Sequence, residues 1–189
     1  MCSTKVSMLL LFTLSIILIS HAPFASSDKV SIENVCNEAD NVGFTDGTTI
    51  DDCLKFLNSD YKYRYASYHD ISKFILQHAI GEGLKYQNIF NELAKNHTDS
   101  KAIKDCSNVH YASTISFFRS SLTHLDSDSE GAHHDALLAR DGIEQCNALV
   151  YDEKKLDASA NAIISNMNKL MAFFSDISTA AIYLYSNQL

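Results

Sequence analysis

The chain has 189 residues, 46% of them apolar and 20% charged, with 6 Gly, 5 Cys, no Trp and a single proline. This composition excludes disordered, collagen-like and low-complexity chains. The formal net charge of −8, from 15 Lys and Arg against 23 Asp and Glu, repels nucleic acid, anionic lipid and polyanionic polysaccharide, so an electrostatically chosen partner carries basic patches.

The first 27 residues read as a secretory signal peptide: Lys5 precedes the apolar run from Met8 to Ile19, and the small residues Ala25 and Ser27 follow. The run is too short to span a membrane. Pro23 leaves with it, and a mature chain without proline points to an all-α fold. The remainder, residues 28–189, is expected to be one domain: an N-terminal helical hairpin and linker over 28–68, then a bundle over 69–189.

Val30 to Ala39 reads as a short helix. Thr49 has the character of an N-cap for a second, with Asp51 and Asp52 in its first turn and an end near Leu57. Tyr61-Lys62-Tyr63-Arg64-Tyr65, with Tyr68 beyond, alternates like a strand but has no second strand to pair with. Its tyrosines either pack the linker onto the bundle or form an aromatic patch for a partner.

Four longer helices follow. Asp70 to about Lys95 carries Ile71, Phe74, Ile75, Leu84, Ile89, Phe90 and Leu93 on its apolar positions, with Gly81 and Gly83 costing about 1 kcal/mol each relative to Ala. Ser100 to about Thr123 sets Ile103, Cys106, His110, Ser113 and Phe117 on one side. A second stripe, Tyr111, Ile115, Phe118 and Leu122, points away from Cys106, either toward a protein partner or as a core seam wrapping around the helix. The third helix, opened by the polar run Asp126 to Glu130, carries Ala132, Ala136, Ala139, Ile143, Cys146 and Val150. The fourth repeats Leu156, Ala160, Ile163, Met167, Leu170, Phe174, Ile177, Ala181 and Leu184 at alternating spacings of four and three. Short polar connections predict an up-down-up-down four-helix bundle.

Cys2 leaves with the signal peptide, and Cys36, Cys53, Cys106 and Cys146 remain for two disulfides. Cys106 and Cys146 lie equally far on either side of the turn at Asp126, so an antiparallel hairpin sets them level and within bridging reach. That pairing leaves Cys36 with Cys53.

No catalytic, metal or cofactor constellation emerges. Asp126-Ser127-Asp128-Ser129-Glu130-Gly131 begins like a calcium loop, but Leu137 stands where the closing glutamate belongs. Glu130 and His133 supply one i, i+3 unit of a dimetal bundle where two are required. The mature cysteines are bridged, and there is neither a Gly-x-Ser-x-Gly elbow nor a Gly-rich phosphate loop. His124, His133 and His134 surround the acidic turn as solvated histidines or as a pH-sensitive contact. Asn96-His97-Thr98 is an N-glycosylation acceptor in an interhelical loop. These features describe a binding protein. A small-molecule carrier would need a cavity that the large apolar residues of the last helix fill, and a cytokine-like bundle would need long crossover connections.

A signal peptide, a Cys36–Cys53 helical hairpin and a four-helix bundle carrying Cys106 and Cys146, in this order, resemble the plant invertase and pectin methylesterase inhibitor family over nearly all of the mature chain. Leu57, Asp70 and Ile71 between hairpin and bundle contribute to the resemblance. So does Ser178-Thr179-Ala180-Ala181-Ile182, which is similar to the family's closing apolar helix. The resemblance implies an extracellular (apoplast or cell wall) or vacuolar protein, without catalysis or cofactor, that blocks a pectin methylesterase or an invertase by docking bundle surface against the target's active-site cleft. Invertase inhibitors of the family insert a Pro-Lys-Phe segment ahead of the third bundle helix, and the corresponding place here reads Ser129-Glu130-Gly131. Methylesterase inhibitors use helical faces instead, which favours that target. An acidic surface also suits a basic methylesterase better than pectin itself.

Overall fold

The computed structural model describes residues 32–44, 47–153 and 156–189; the expected signal peptide lies outside them. Every regular element among the described residues is helical. Helix α1 (Ile32–Val42) and helix α2 (Ile50–Ser59) form the hairpin, closed by Cys36–Cys53 with a Cα separation of 5.6 Å. Thr49 caps α2 reciprocally: its hydroxyl accepts from the Asp52 N–H at 3.3 Å, and its own N–H donates to the Asp52 carboxylate at 3.1 Å. The strand-like tyrosine run is a one-turn helix, α3 (Tyr61–Arg64), that buries Tyr63 and leaves Tyr61 and Tyr65 exposed.

The bundle consists of α4 (Tyr68–Asn96), a second rod made of α5 (Lys101–Asp105), a π-helical turn (Cys106–Tyr111) and α6 (Ala112–His124), then α7 (Ser129–Asp152) and α8 (Ala158–Ser186). Ser67, Ser100, Asp128 and Asp157 begin α4, α5, α7 and α8, each side-chain oxygen accepting a backbone N–H of the first turn. Short connections keep neighbours antiparallel and bring Cys106 and Cys146 to a Cα separation of 5.0 Å, bridged. The acidic run that begins like a calcium loop is this capping structure: Asp128 accepts from Gly131 N at 2.9 Å.

The π turn corrects the reading of the second rod. Its extra residue moves the core positions after Cys106 from His110, Ser113 and Phe117 to Tyr111, Thr114 and Phe118, since a wider turn advances the buried face by one residue. Gln87 and Ser107 meet the displaced backbone: Gln87 Nε2 donates to the Ser107 carbonyl at 2.9 Å, and Ser107 Oγ to Asn91 Oδ1 at 2.7 Å.

Helix α8 also departs from the strict heptad. Ile163 is exposed and Leu170 half-buried, whereas Ile164 and Met171 are buried, because a straight 3.6-residue helix drifts from a 3.5-residue repeat. From Met171 to Ile182 every residue of α8 is buried. Helix α1 packs against α8, and Phe44 and Phe56 place their rings 6.3 and 5.5 Å from that of Phe173. Leu57, Ile71 and the segment 178–182, which carried the family resemblance, are all buried.

Candidate partner-binding surface

The second stripe of the rod, read either as a partner face or as a core seam, is largely interior. Tyr111, Ile115 and Phe118 are buried and Leu122 is half-buried, as the shifted register requires. Tyr111 packs its ring 4.8 Å from that of Phe90 and donates its hydroxyl to Asn168 Oδ1 at 2.7 Å, and burial holds its pKa far above the ordinary tyrosine value. Asn168, itself buried, donates to Asn147 Oδ1 at 2.6 Å beside Cys146. Tyr111, Asn168 and Cys146 join the second rod, α7 and α8 in the core.

The outward face lies on α7. Glu130, His134, Leu137, Asp141, Glu144, Ala148 and Asp152 recur at helical spacing and are all exposed. Arg140, the one Lys or Arg of this helix, is shared between the face and the core: its Nε binds Glu144 at 2.8 Å, and Nη1 reaches the buried Asp176 of α8 at 3.2 Å. The face therefore presents carboxylates around Leu137, which is 41% exposed, and fits a basic surface with an apolar recess.

One end of the bundle gathers the start of α4, the α6–α7 turn and the end of α8. His124 Nδ1 meets Asp135 Oδ2 at 3.0 Å, tying α6 to α7. His133 is half-buried with its ring 6.1 Å from that of Tyr183. Desolvation, then the neighbouring His134, push its pKa below the ordinary histidine value against a smaller pull from Glu130. His134 is exposed. The three histidines expected at this tip thus have three different surroundings. A fourth, His69 of α4, went unnoticed in the sequence because its partner is 57 positions away: its Nε2 meets Asp126 Oδ1 at 2.5 Å, its Nδ1 lies 3.5 Å from Asp70, and its ring is 5.1 Å from that of Tyr185. Ser67, at the start of α4, donates to the Asp70 carboxyl and holds it below the usual carboxylate range.

At the opposite end, Asn96 is the exposed last residue of α4. Glu153 closes the neighbouring loop, accepting from the Ser100 hydroxyl at 3.1 Å. Among the described residues no three His, Cys, Asp or Glu side chains are arranged to hold a metal ion, and no helix is long and apolar enough to cross a membrane.

No protein-family model and no curated protein matches the chain in sequence. Solved structures match in fold, among them two of pectin methylesterase inhibitors. A mutant form of a pectin methylesterase inhibitor from Arabidopsis aligns with a TM-score of 0.65 and 22% identity, over 81% of this chain and 95% of that one. A pectin methylesterase inhibitor from Arabidopsis thaliana aligns with a TM-score of 0.56 and 19% identity, over 85% and 97%. The all-α architecture with its disulfide-closed hairpin is thus the fold of pectin methylesterase inhibitors, the proteins that the order of cysteines and helices in this sequence resembles.

Proposed function

We propose that the protein is a secreted inhibitor that blocks a plant carbohydrate-active enzyme, pectin methylesterase in preference to invertase, by a 1:1 complex at the active-site cleft. The observation that carries this reading is the fold shared with pectin methylesterase inhibitors along nearly their whole length. The preference between targets rests on two features. The place where invertase inhibitors insert Pro-Lys-Phe is here the first turn of α7, Ser129-Glu130-Gly131, wound into helix behind the Asp128 cap. The α7 face is acidic around Leu137 and complements a basic enzyme. In this reading the protein acts in the apoplast or the vacuole, has no catalysis or cofactor of its own, and carries its glycan on Asn96, at the end of the bundle away from the histidine tip.

The test is titration of the oxidised protein into pectin methylesterase and into invertase at about pH 5 and about pH 7, following residual activity. Methylesterase activity should fall to a plateau at one equivalent while invertase is untouched, and Asp141→Lys with Glu144→Lys should weaken inhibition about tenfold at low salt. Full activity of both enzymes in molar excess of the protein would overturn the reading, and loss of invertase activity alone would reverse the choice of target.

A further inference from the structure

A groove of about 540 Å³ runs between α2 and α8 on the hairpin side of the molecule. Phe56, Leu170 and Phe173 line it with apolar surface, the two phenylalanine rings meeting edge-on at 5.5 Å. Lys55 of α2 and Lys169 of α8 stand on it from opposite elements. Both are exposed, and among the described residues neither has a carboxylate within 4 Å. The acid in the groove, Asp52, is engaged by the Thr49 hydroxyl at 2.9 Å in the cap of α2 and also attracts Lys169 and Lys55, which leaves the groove two cations to one anion. The groove is therefore a locally cationic, apolar recess on a chain of net charge −8.

We propose that this groove binds a small amphipathic carboxylate, its aromatic or alkyl body on Phe56, Leu170 and Phe173 and its carboxylate between Lys55 and Lys169. The two ammonium groups form no ion pair among the described residues and feel the field of Asp52, so a bound carboxylate gives them charge-assisted hydrogen bonds. The apolar body covers surface that is otherwise wet, and the volume falls in the ordinary range for small-ligand sites. A neutral molecule of the same shape collects only the second contribution, so charge is the property the site selects. Because the ligand touches both the hairpin and the bundle, binding also strengthens the contact between them. The inference is independent of the inhibitor reading, since it uses neither α7 nor the histidine tip.

The experiment uses the oxidised full-length mature protein with 4-phenylbutyrate as probe and 4-phenylbutan-1-ol as its neutral counterpart, measured by calorimetric titration and by the shift in thermal midpoint. The carboxylate should bind about tenfold more tightly than the alcohol and raise the midpoint, and Lys55→Glu and Lys169→Glu should each weaken it by about the same factor. Lys169 also borders a second cleft, toward Tyr151, so Tyr151→Ala serves as the control and should leave the affinity unchanged. Both lysines are exposed, and an unaltered circular-dichroism spectrum verifies the fold of each variant. Equal affinity for acid and alcohol, indifference to both charge reversals, loss of binding in Tyr151→Ala, or no binding at millimolar probe would each overturn the proposal.

Discussion

His133 shows how much of this protein's chemistry depends on individual surroundings. It shares the tip with His124 and His69, yet those two face carboxylates, Asp135 for one and Asp126 with Asp70 for the other. His133 faces the Tyr183 ring of α8, with His134 and Glu130 beside it on α7. Burial lowers its pKa below 6.5, so between that value and the lowered one the folded protein binds fewer protons than the unfolded chain. Its contribution to stability is therefore complete above the ordinary histidine value and is lost as the pH falls through the lowered one. His133→Gln should show a smaller loss of thermal midpoint between about pH 7 and about pH 5 than the parent protein, read by unfolding curves at both values. An identical loss in the two would mean that the imidazole is solvated in either charge state. The sequence revealed this residue and its neighbours on α7 but not Tyr183. Adjacency along the chain located His124, His133 and His134 at one turn, whereas the Asp126 contact to His69 and the Tyr183 packing depend on helix pairing. Caps were legible at this scale, since Thr49 and the acids after it interact within one turn.

At the scale of elements, helix ends and hairpin registers could be read while the rotation of a helix about its axis could not. The second rod begins with Cys106 inward as expected. The π turn then carries Tyr111, Ile115 and Phe118 into the core, where an unbroken helix would have kept His110, Ser113 and Phe117. Nothing local in Cys106-Ser107-Asn108-Val109-His110-Tyr111 announces a π turn, because the atoms that compensate it, on Gln87 and Asn91, belong to α4. The same turn brings the rod close against α7. Thr114 and Ser121 donate to the α7 carbonyls of Ala139 and Ala132 at 2.9 and 2.7 Å, and a Cβ on Gly142 would lie 2.6 Å from the His110 carbonyl oxygen and 2.5 Å from Thr114 Oγ1. A methyl group there must push two backbones apart, with no flexible side-chain end to yield at the carbonyl. Gly142→Ala should thus destabilise the protein by about 1–3 kcal/mol despite alanine's better helix propensity. Thermal unfolding should show the corresponding drop in midpoint, and a neutral or stabilising result would mean that the two rods stand further apart at this crossing.

At the scale of the molecule, the hairpin is part of the core and not a lid laid over a finished bundle. Four helices would leave one side of α8 open, yet from Met171 to Ile182 it is buried all round, with α1 packed against α8 and the Phe44 and Phe56 rings against Phe173. Counting heptads on α8 could not disclose this, since a pattern within one helix does not say how many neighbours surround it. The run of small and apolar residues from Phe173 to Ile182, interrupted by Asp176 alone, was the available sign. The Cys36–Cys53 bridge, 17 positions apart, secures this cover. By loop length its removal should cost about 3 kcal/mol, and for a chain of this size that corresponds to a fall in thermal midpoint of roughly 6–12 °C. The form of the transition carries the stronger inference. If α1 completes the core of α8, the Cys36→Ala and Cys53→Ala double variant should unfold in one transition at the lower temperature, because loosening the hairpin exposes α8 and removes the contacts that hold the other helices. Scanning calorimetry showing a small early transition followed by bundle melting at the parent temperature would instead make the hairpin a separable attachment.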